Sequence, residues 1–154
     1  MIADNLISLA RQIAAKHNLP QEVVCGIIER EATEDQWAVR YEPGFLARYV
    51  MPQYQSGKLD ITETYCRAMS WGCMQIMGQT ARELGFGGKY LPQLCDPIFG
   101  IEFGCRKLAE ALKAWNGDIN KALEIYNGGS NPNYAGEVLM LSIPYRLPPQ
   151  AISA

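Results

Sequence analysis

No stretch of this 154-residue chain approaches the roughly 20 apolar residues of a membrane span. The N-terminal stretch is not expected to be a signal peptide either. In MIADNLISLARQIAAKHNLP, Asp4 comes at once, and Arg11 and Lys16 interrupt the apolar residues. Leu6, Ile7, Leu9, Ala10, Ile13 and Ala14 make that stretch an amphipathic helix instead. The chain is therefore expected to be made in the cytoplasm. It has no excess of positive charge: the formal net charge is −2 and the isoelectric point near 5.4. That balance argues against a nucleic-acid partner and gives no sign of attachment to an anionic surface. No CxxC occurs among Cys25, Cys66, Cys73, Cys95 and Cys105. An odd, scattered set is neither a metal site nor a disulfide framework, and most of these cysteines read as small core hydrophobes. Repeats, low-complexity tracts and linkers are absent as well. Residues 1–154 thus read as one domain, long enough to bury a proper core.

What is present is mostly helical. The first helix runs from about Ala3 to His17. Pro20 suits the first turn of a second helix that carries Glu31. Trp37 to Pro43 has a short strand-like alternation, with Val39 and Tyr41 on one side. Phe45 to Val50 fits a helical turn, and Pro52 to Lys58 reads as an exposed loop. Asp60 or Thr62 caps a short helix through Arg67, and Gln79 to Leu84 forms another that stops at Gly85. Asp96-Pro97 is a strong helix start, a capping carboxylate followed by proline at the first helical position. The long apolar helix from there to about Gly117 is expected to be central. Asp118 caps the next, which Gly128-Gly129 ends, and a last helix spans about Asn133 to Ser142. Pro144, Pro148 and Pro149 predict an extended surface tail. The fold class is mostly α, with at most a small β-hairpin.

Three separated stretches carry chemistry. In Val23 to Thr33 the apolar residues Val24, Ile27 and Ile28 share one helix face, and their spacing places Glu31 in the middle of that stripe. A carboxyl on a buried face is costly to ionise and stays protonated closer to neutral pH, as a general acid requires. The plainer reading is a frayed helix end with Glu31 in water. In the second stretch, Gly72 to Met77, Gly72 permits close approach of backbone or ligand. Gln75 adds an amide and Met77 a soft apolar wall. A buried turn with core methionines accounts for the same residues. In the third, Tyr126 lies on a buried stripe and needs a polar partner, and Asn127 stands beside two glycines. An ordinary helix end with a core tyrosine would look alike.

Taken together, the stretches resemble the lytic transglycosylase family of the goose-type lysozyme superfamily. That family's pattern is a helix ending in Glu-Ser, then Gly-Leu-Met-Gln-Ile, then Ala-Tyr-Asn-x-Gly. The segments here, in the same order, are Ile28-Glu29-Arg30-Glu31-Ala32, Gly72-Cys73-Met74-Gln75-Ile76 and Ile125-Tyr126-Asn127-Gly128-Gly129. The resemblance runs from about Ile7 to Leu139. Ala32 replaces the usual serine, Cys73 a leucine and Ile125 an alanine, and the segment from Ala38 to Met69 is longer than in compact members.

The resemblance implies a single lysozyme-like domain that cleaves the β-1,4 bond between N-acetylmuramic acid and N-acetylglucosamine in peptidoglycan. Glu31 would be the catalytic acid. Gly72, Gln75, Met77, Tyr126 and Asn127 would bind the sugars or orient Glu31. No metal or organic cofactor is implied, the partner is the glycan strand, and a monomer suffices. Reaching the wall would need release by another factor, as for a phage or prophage lysis enzyme, or the stretch would be a domain of a larger virion or secretion protein. Glycoside hydrolases usually use two carboxylates, and a single acid points to a substrate-assisted route that closes a 1,6-anhydro ring. Asp60 and Glu63 are the candidates for a second carboxylate, which would make the enzyme a hydrolytic muramidase. A groove that binds glycan without cutting it is the remaining alternative.

Overall fold

The computed structural model describes residues 1–32 and 35–148. Helix α1 (Asp4–Lys16) packs on α2 (Gln21–Glu31). Strand β1 (Val39–Tyr41) leads into a helical run of α3 (Pro43–Phe45), a π turn (Leu46–Val50) and α4 (Met51–Gln55). Next come α5 (Ile61–Arg67), β2 (Met69–Trp71), β3 (Ile76–Met77) and α6 (Gly78–Glu83). A 3₁₀ turn (Leu91–Cys95) precedes the long α7 (Pro97–Ala114), then α8 (Ile119–Tyr126) and α9 (Tyr134–Ser142). A second 3₁₀ turn (Ile143–Tyr145) follows.

The mostly α expectation holds, and the hairpin gains one strand. The antiparallel sheet has the order β1-β2-β3, with Val39 opposite Trp71 and Trp71 opposite Ile76. The long helix is central because its two sides serve two cores. Ile101, Cys105 and Leu108 join α1, α2, α8 and α9, while Phe103 packs with Trp71, Ile76 and Phe86 on the sheet side. Local chemistry starts it as the sequence reading expects: the Asp96 carboxylate accepts from the Ile98 N–H at 2.9 Å, with Pro97 at the first position. Asp118 likewise accepts from the Asn120 and Lys121 amides.

Helix α2 is buried along its whole middle. Val24, Ile27 and Ile28 are fully out of water, each contributing about 1.5–3 kcal/mol of apolar burial. It sits close against α9 because Gly26 faces it. A Cβ there would collide with Ser142 Oγ and come within 2.7 Å of the Val138 carbonyl. The cysteines are all free; four are buried and Cys66 is half-buried. Burial pushes the Cys25 thiol up to about 11 and those of Cys73 and Cys105 to about 12, so they behave as core hydrophobes.

Two expectations are corrected. Residues 52–55 are helical rather than loop, because Pro52 sits in the first turn of α4, where its missing N–H costs nothing. The tail is not wholly extended: Pro144 opens a 3₁₀ turn that buries Tyr145. The Tyr145 hydroxyl donates to Glu29 and accepts from the Ile2 N–H, tying the end of the chain to α2 and to the N-terminus. Arg146 to Pro148 are exposed, and Pro149 lies outside the described residues, as does Thr33.

Asp60 and Glu63 are committed to structure. The Asp60 carboxylate caps α5 by accepting from the Glu63 N–H at 2.8 Å. Glu63 accepts from Arg67 Nε at 2.9 Å and Arg82 Nε at 2.8 Å. Burial alone would raise the Glu63 pKa, but the two guanidiniums outweigh it and hold the carboxyl below its ordinary value. A depressed folded-state pKa means stability that is present above the unfolded value and lost as pH falls through the folded one. Glu63→Gln is therefore expected to lower the melting temperature at pH 7 and to flatten its decline below about pH 4. Activity per folded molecule should be retained. Thermal melts across acidic pH check the first outcome, and a loss of activity at intact fold would contradict the second.

Candidate active site

A groove of about 540 Å³ runs between the sheet and the α2–α8–α9 side of the molecule. Its lining takes residues from all three sequence stretches: Glu31 from the end of α2, Gln75 and Met77 from the β2–β3 turn and β3, and Tyr126 and Asn127 from the end of α8. Gly72 is not part of that lining. Its φ of +69° and the space around it serve packing, since a Cβ there would strike the Leu94 carbonyl. The close approach expected at Gly72 is that of backbone, not of the groove.

Glu31 is half-buried rather than buried. The apolar stripe ends at Ile28, and the last residue of α2 emerges at the groove wall. The carboxyl is nevertheless held. The Tyr134 hydroxyl, from the first residue of α9, donates to Glu31 Oε1 at 2.6 Å. Burial, with the nearby Glu31 adding to it, keeps the Tyr134 phenol far above its ordinary pKa, so it stays a donor at all working pH values. Arg30 lies over the Tyr134 ring at 5.7 Å and pairs with Glu137 at 2.6 Å, fixing that ring from the other side.

Gln75 has a left-handed backbone, φ +46°, unusual for a residue with a side chain. Three hydrogen bonds offset that strain. Its Nε2 donates to the carbonyls of Ala38 and Gly72 at 3.0 and 2.9 Å, and its Oε1 accepts from Ser70 Oγ at 2.7 Å. The amide therefore ties the β2–β3 turn to the residue before β1 and shapes the groove. The Tyr126 hydroxyl finds the polar partner that its burial demands in the Met74 carbonyl, at 2.8 Å. It reaches toward the sheet, and the ring stacks on Tyr134 at 6.5 Å and 15°. The Asn127 amide donates to Ser130 Oγ at 3.0 Å.

Sequence reasoning missed Tyr134, Lys107, Arg40 and Glu42, which all line the groove. The two residues from the β1 side had a signal in the alternation around Val39 and Tyr41, which sends Arg40 and Glu42 the other way. They form an ion pair, Arg40 Nε to Glu42 Oε1 at 2.6 Å. Lys107 comes from the half-exposed side of α7 and donates to the Tyr126 carbonyl at 2.6 Å. Among the described residues no three groups of His, Cys, Asp and Glu converge as metal ligands.

The groove thus gathers residues of the three stretches around a hydroxyl-held carboxyl in a mostly helical domain. The family model described as Transglycosylase SLT domain matches residues 8–136. The chain belongs to that family. Its activity is accordingly of the peptidoglycan-cleaving, transglycosylase type, and the site of action of such a domain is the cell wall. No solved structure matches the chain significantly. None of the helices among the described residues is long and apolar enough to cross a membrane.

Proposed function

We propose that the protein is a lytic transglycosylase acting on the β-1,4 bond between N-acetylmuramic acid and N-acetylglucosamine, with Glu31 as its single catalytic acid and base. The observation that carries this reading is how the two carboxylates that line the groove among the described residues are partnered. Glu31 is held by a neutral hydroxyl and keeps an oxygen for proton transfer, whereas Glu42 is bound to Arg40. Tyr134 occupies Oε1, which leaves Oε2 to carry the transferable proton. Glu31 gives that proton to the leaving glycosidic oxygen as the bond breaks. The N-acetyl group of the muramic acid stabilises the cationic anomeric carbon. The Glu31 carboxylate then takes the proton of the muramic acid 6-hydroxyl, whose oxygen bonds to the anomeric carbon. The 1,6-anhydro ring closes, Glu31 is protonated again, and no water is consumed. Gln75, Met77, Tyr126 and Asn127 serve as wall and frame for the glycan.

Glu42 supports one second reading. Released from Arg40 by substrate, it would position a water and make the enzyme a hydrolytic muramidase.

Tyr134→Phe tests the role given to Glu31. The ring stays in the stack with Tyr126, and only the hydrogen bond to Oε1 is lost. The expected result is a fall in kcat of about tenfold or more at unchanged KM, since small misplacement of a catalytic group costs up to about 10²-fold. Stability should fall by only about 1–2 kcal/mol. Steady-state kinetics on solubilised glycan strands measures this, and an unchanged kcat would remove Tyr134 from the mechanism.

A further inference from the structure

Lys107 has no counterpart in the motifs and no role in the mechanism above, yet it is placed where a lysine is expensive. It projects from α7 into the groove, partly buried. Its Nζ donates to the Tyr126 carbonyl at 2.6 Å and lies 4.3 Å from the centre of the Tyr126 ring. Tyr126 is the last residue of α8, so its carbonyl is one of those without a partner inside the helix and lies at the negative end of the helix dipole. One ammonium thus fixes both the main chain and the ring of Tyr126. That ring stacks on Tyr134, and the Tyr134 hydroxyl donates to Glu31. The contacts form one line: Lys107, Tyr126, Tyr134, Glu31.

We infer that Lys107 is a positioning residue of the reaction: its ammonium holds the Tyr126–Tyr134 stack in the register that presents the Tyr134 hydroxyl to Glu31. The inference rests on the transglycosylase reading and adds to it a residue that acts on Glu31 through the tyrosine stack. Burial pulls the Lys107 pKa down to about 8, against a smaller opposing pull from Glu31. The groups that face it are Glu31 from α2 and Tyr126 from α8, with Tyr134 of α9 one ring beyond; across the groove Arg40 and Glu42 satisfy each other. Below about pH 8 the ammonium is intact and the stack is held; as pH rises through that value the hold on the ring is lost.

The test is the ratio of wild-type kcat to Lys107→Met kcat, followed across pH 6 to 10 on glycan strands. At neutral pH the ratio should be about tenfold or more, with KM changed little, because the residue acts on placement of the acid and not on glycan binding. It should fall towards one as pH rises through about 8. Lys107→Arg, charged throughout, should keep its kcat relative to wild type at neutral pH and exceed wild type above pH 8. Lys107→Gln, which keeps a neutral donor for the Tyr126 carbonyl, replaces Lys107→Met if that variant does not fold. A ratio near one at neutral pH, or one that stays constant through pH 8, overturns the inference while leaving the transglycosylase reading intact. Wild-type protein that releases nothing from peptidoglycan at any pH overturns that reading and this inference together.

Discussion

Replacing Glu31 by glutamine is expected to leave the fold intact and to lower peptidoglycan cleavage by at least about 10²-fold, because general acid–base help contributes typically 10²–10⁴-fold. The amide is nearly the same size and still accepts from the Tyr134 hydroxyl, whose 2.6 Å bond needs only an oxygen. It cannot donate a proton to a glycosidic oxygen. The apolar side of α2 is untouched, since Val24, Ile27 and Ile28 are already fully buried without any contribution from the carboxyl. Melting temperature and circular dichroism should match wild type, while clearance of a cell-wall suspension stops. Clearance at the wild-type rate by Glu31→Gln would mean that another group supplies the proton.

The largest loss of stability is expected at Gly72. The backbone there is left-handed, φ +69°, and an added Cβ runs into the Leu94 carbonyl of the 3₁₀ turn. A non-glycine residue in that conformation costs about 1–2 kcal/mol, and overpacking a tight contact about 1–3 kcal/mol. Gly72→Ala should therefore lose roughly 2–5 kcal/mol, a drop of about 10 °C in melting temperature for a domain of this size. The loss is one of stability and not of glycan binding. Well below its melting point the variant should keep its KM for glycan, since Gly72 does not line the groove. A raised KM at unchanged stability would put Gly72 back among the substrate contacts.

These two residues mark what the sequence made legible. Glu31 was visible because α2 is regular: the spacing of Val24, Ile27 and Ile28 points at it, although the helix ends there and leaves it at the groove wall instead of in the core. Asp96-Pro97 and Asp118 announced their helices because capping is local, settled within three residues of the cap. Gly72 was legible as a close approach, but not what approaches, because Leu94 is 22 positions away and on another element.

The rest of the site depends on contacts that no local pattern encodes. Tyr134 reaches Glu31 across 103 positions, and its own neighbours, Asn133 and Ala135, give no hint of it. Lys107 sits on the half-exposed side of α7, where a lysine is ordinarily a solvated charge, and only the end of α8 packing over it makes it a groove residue. Pro52 suggested a loop because proline marks both turns and helix starts, and the helical run before it decides between them. Tyr145 lay in a proline-rich tail, and its burial follows from Glu29 and the N-terminus closing over it.

In the proposed reaction one carboxyl does both proton transfers and the 6-hydroxyl takes the place of water. Mass spectrometry of the soluble products from purified peptidoglycan tests this most directly. The expected products carry a 1,6-anhydro muramic acid end and are one water lighter than their hydrolytic counterparts. Products ending in a reducing muramic acid, at the full hydrated mass, would contradict the claim and assign the second proton transfer to a water held by another group, with Glu42 the carboxylate to examine.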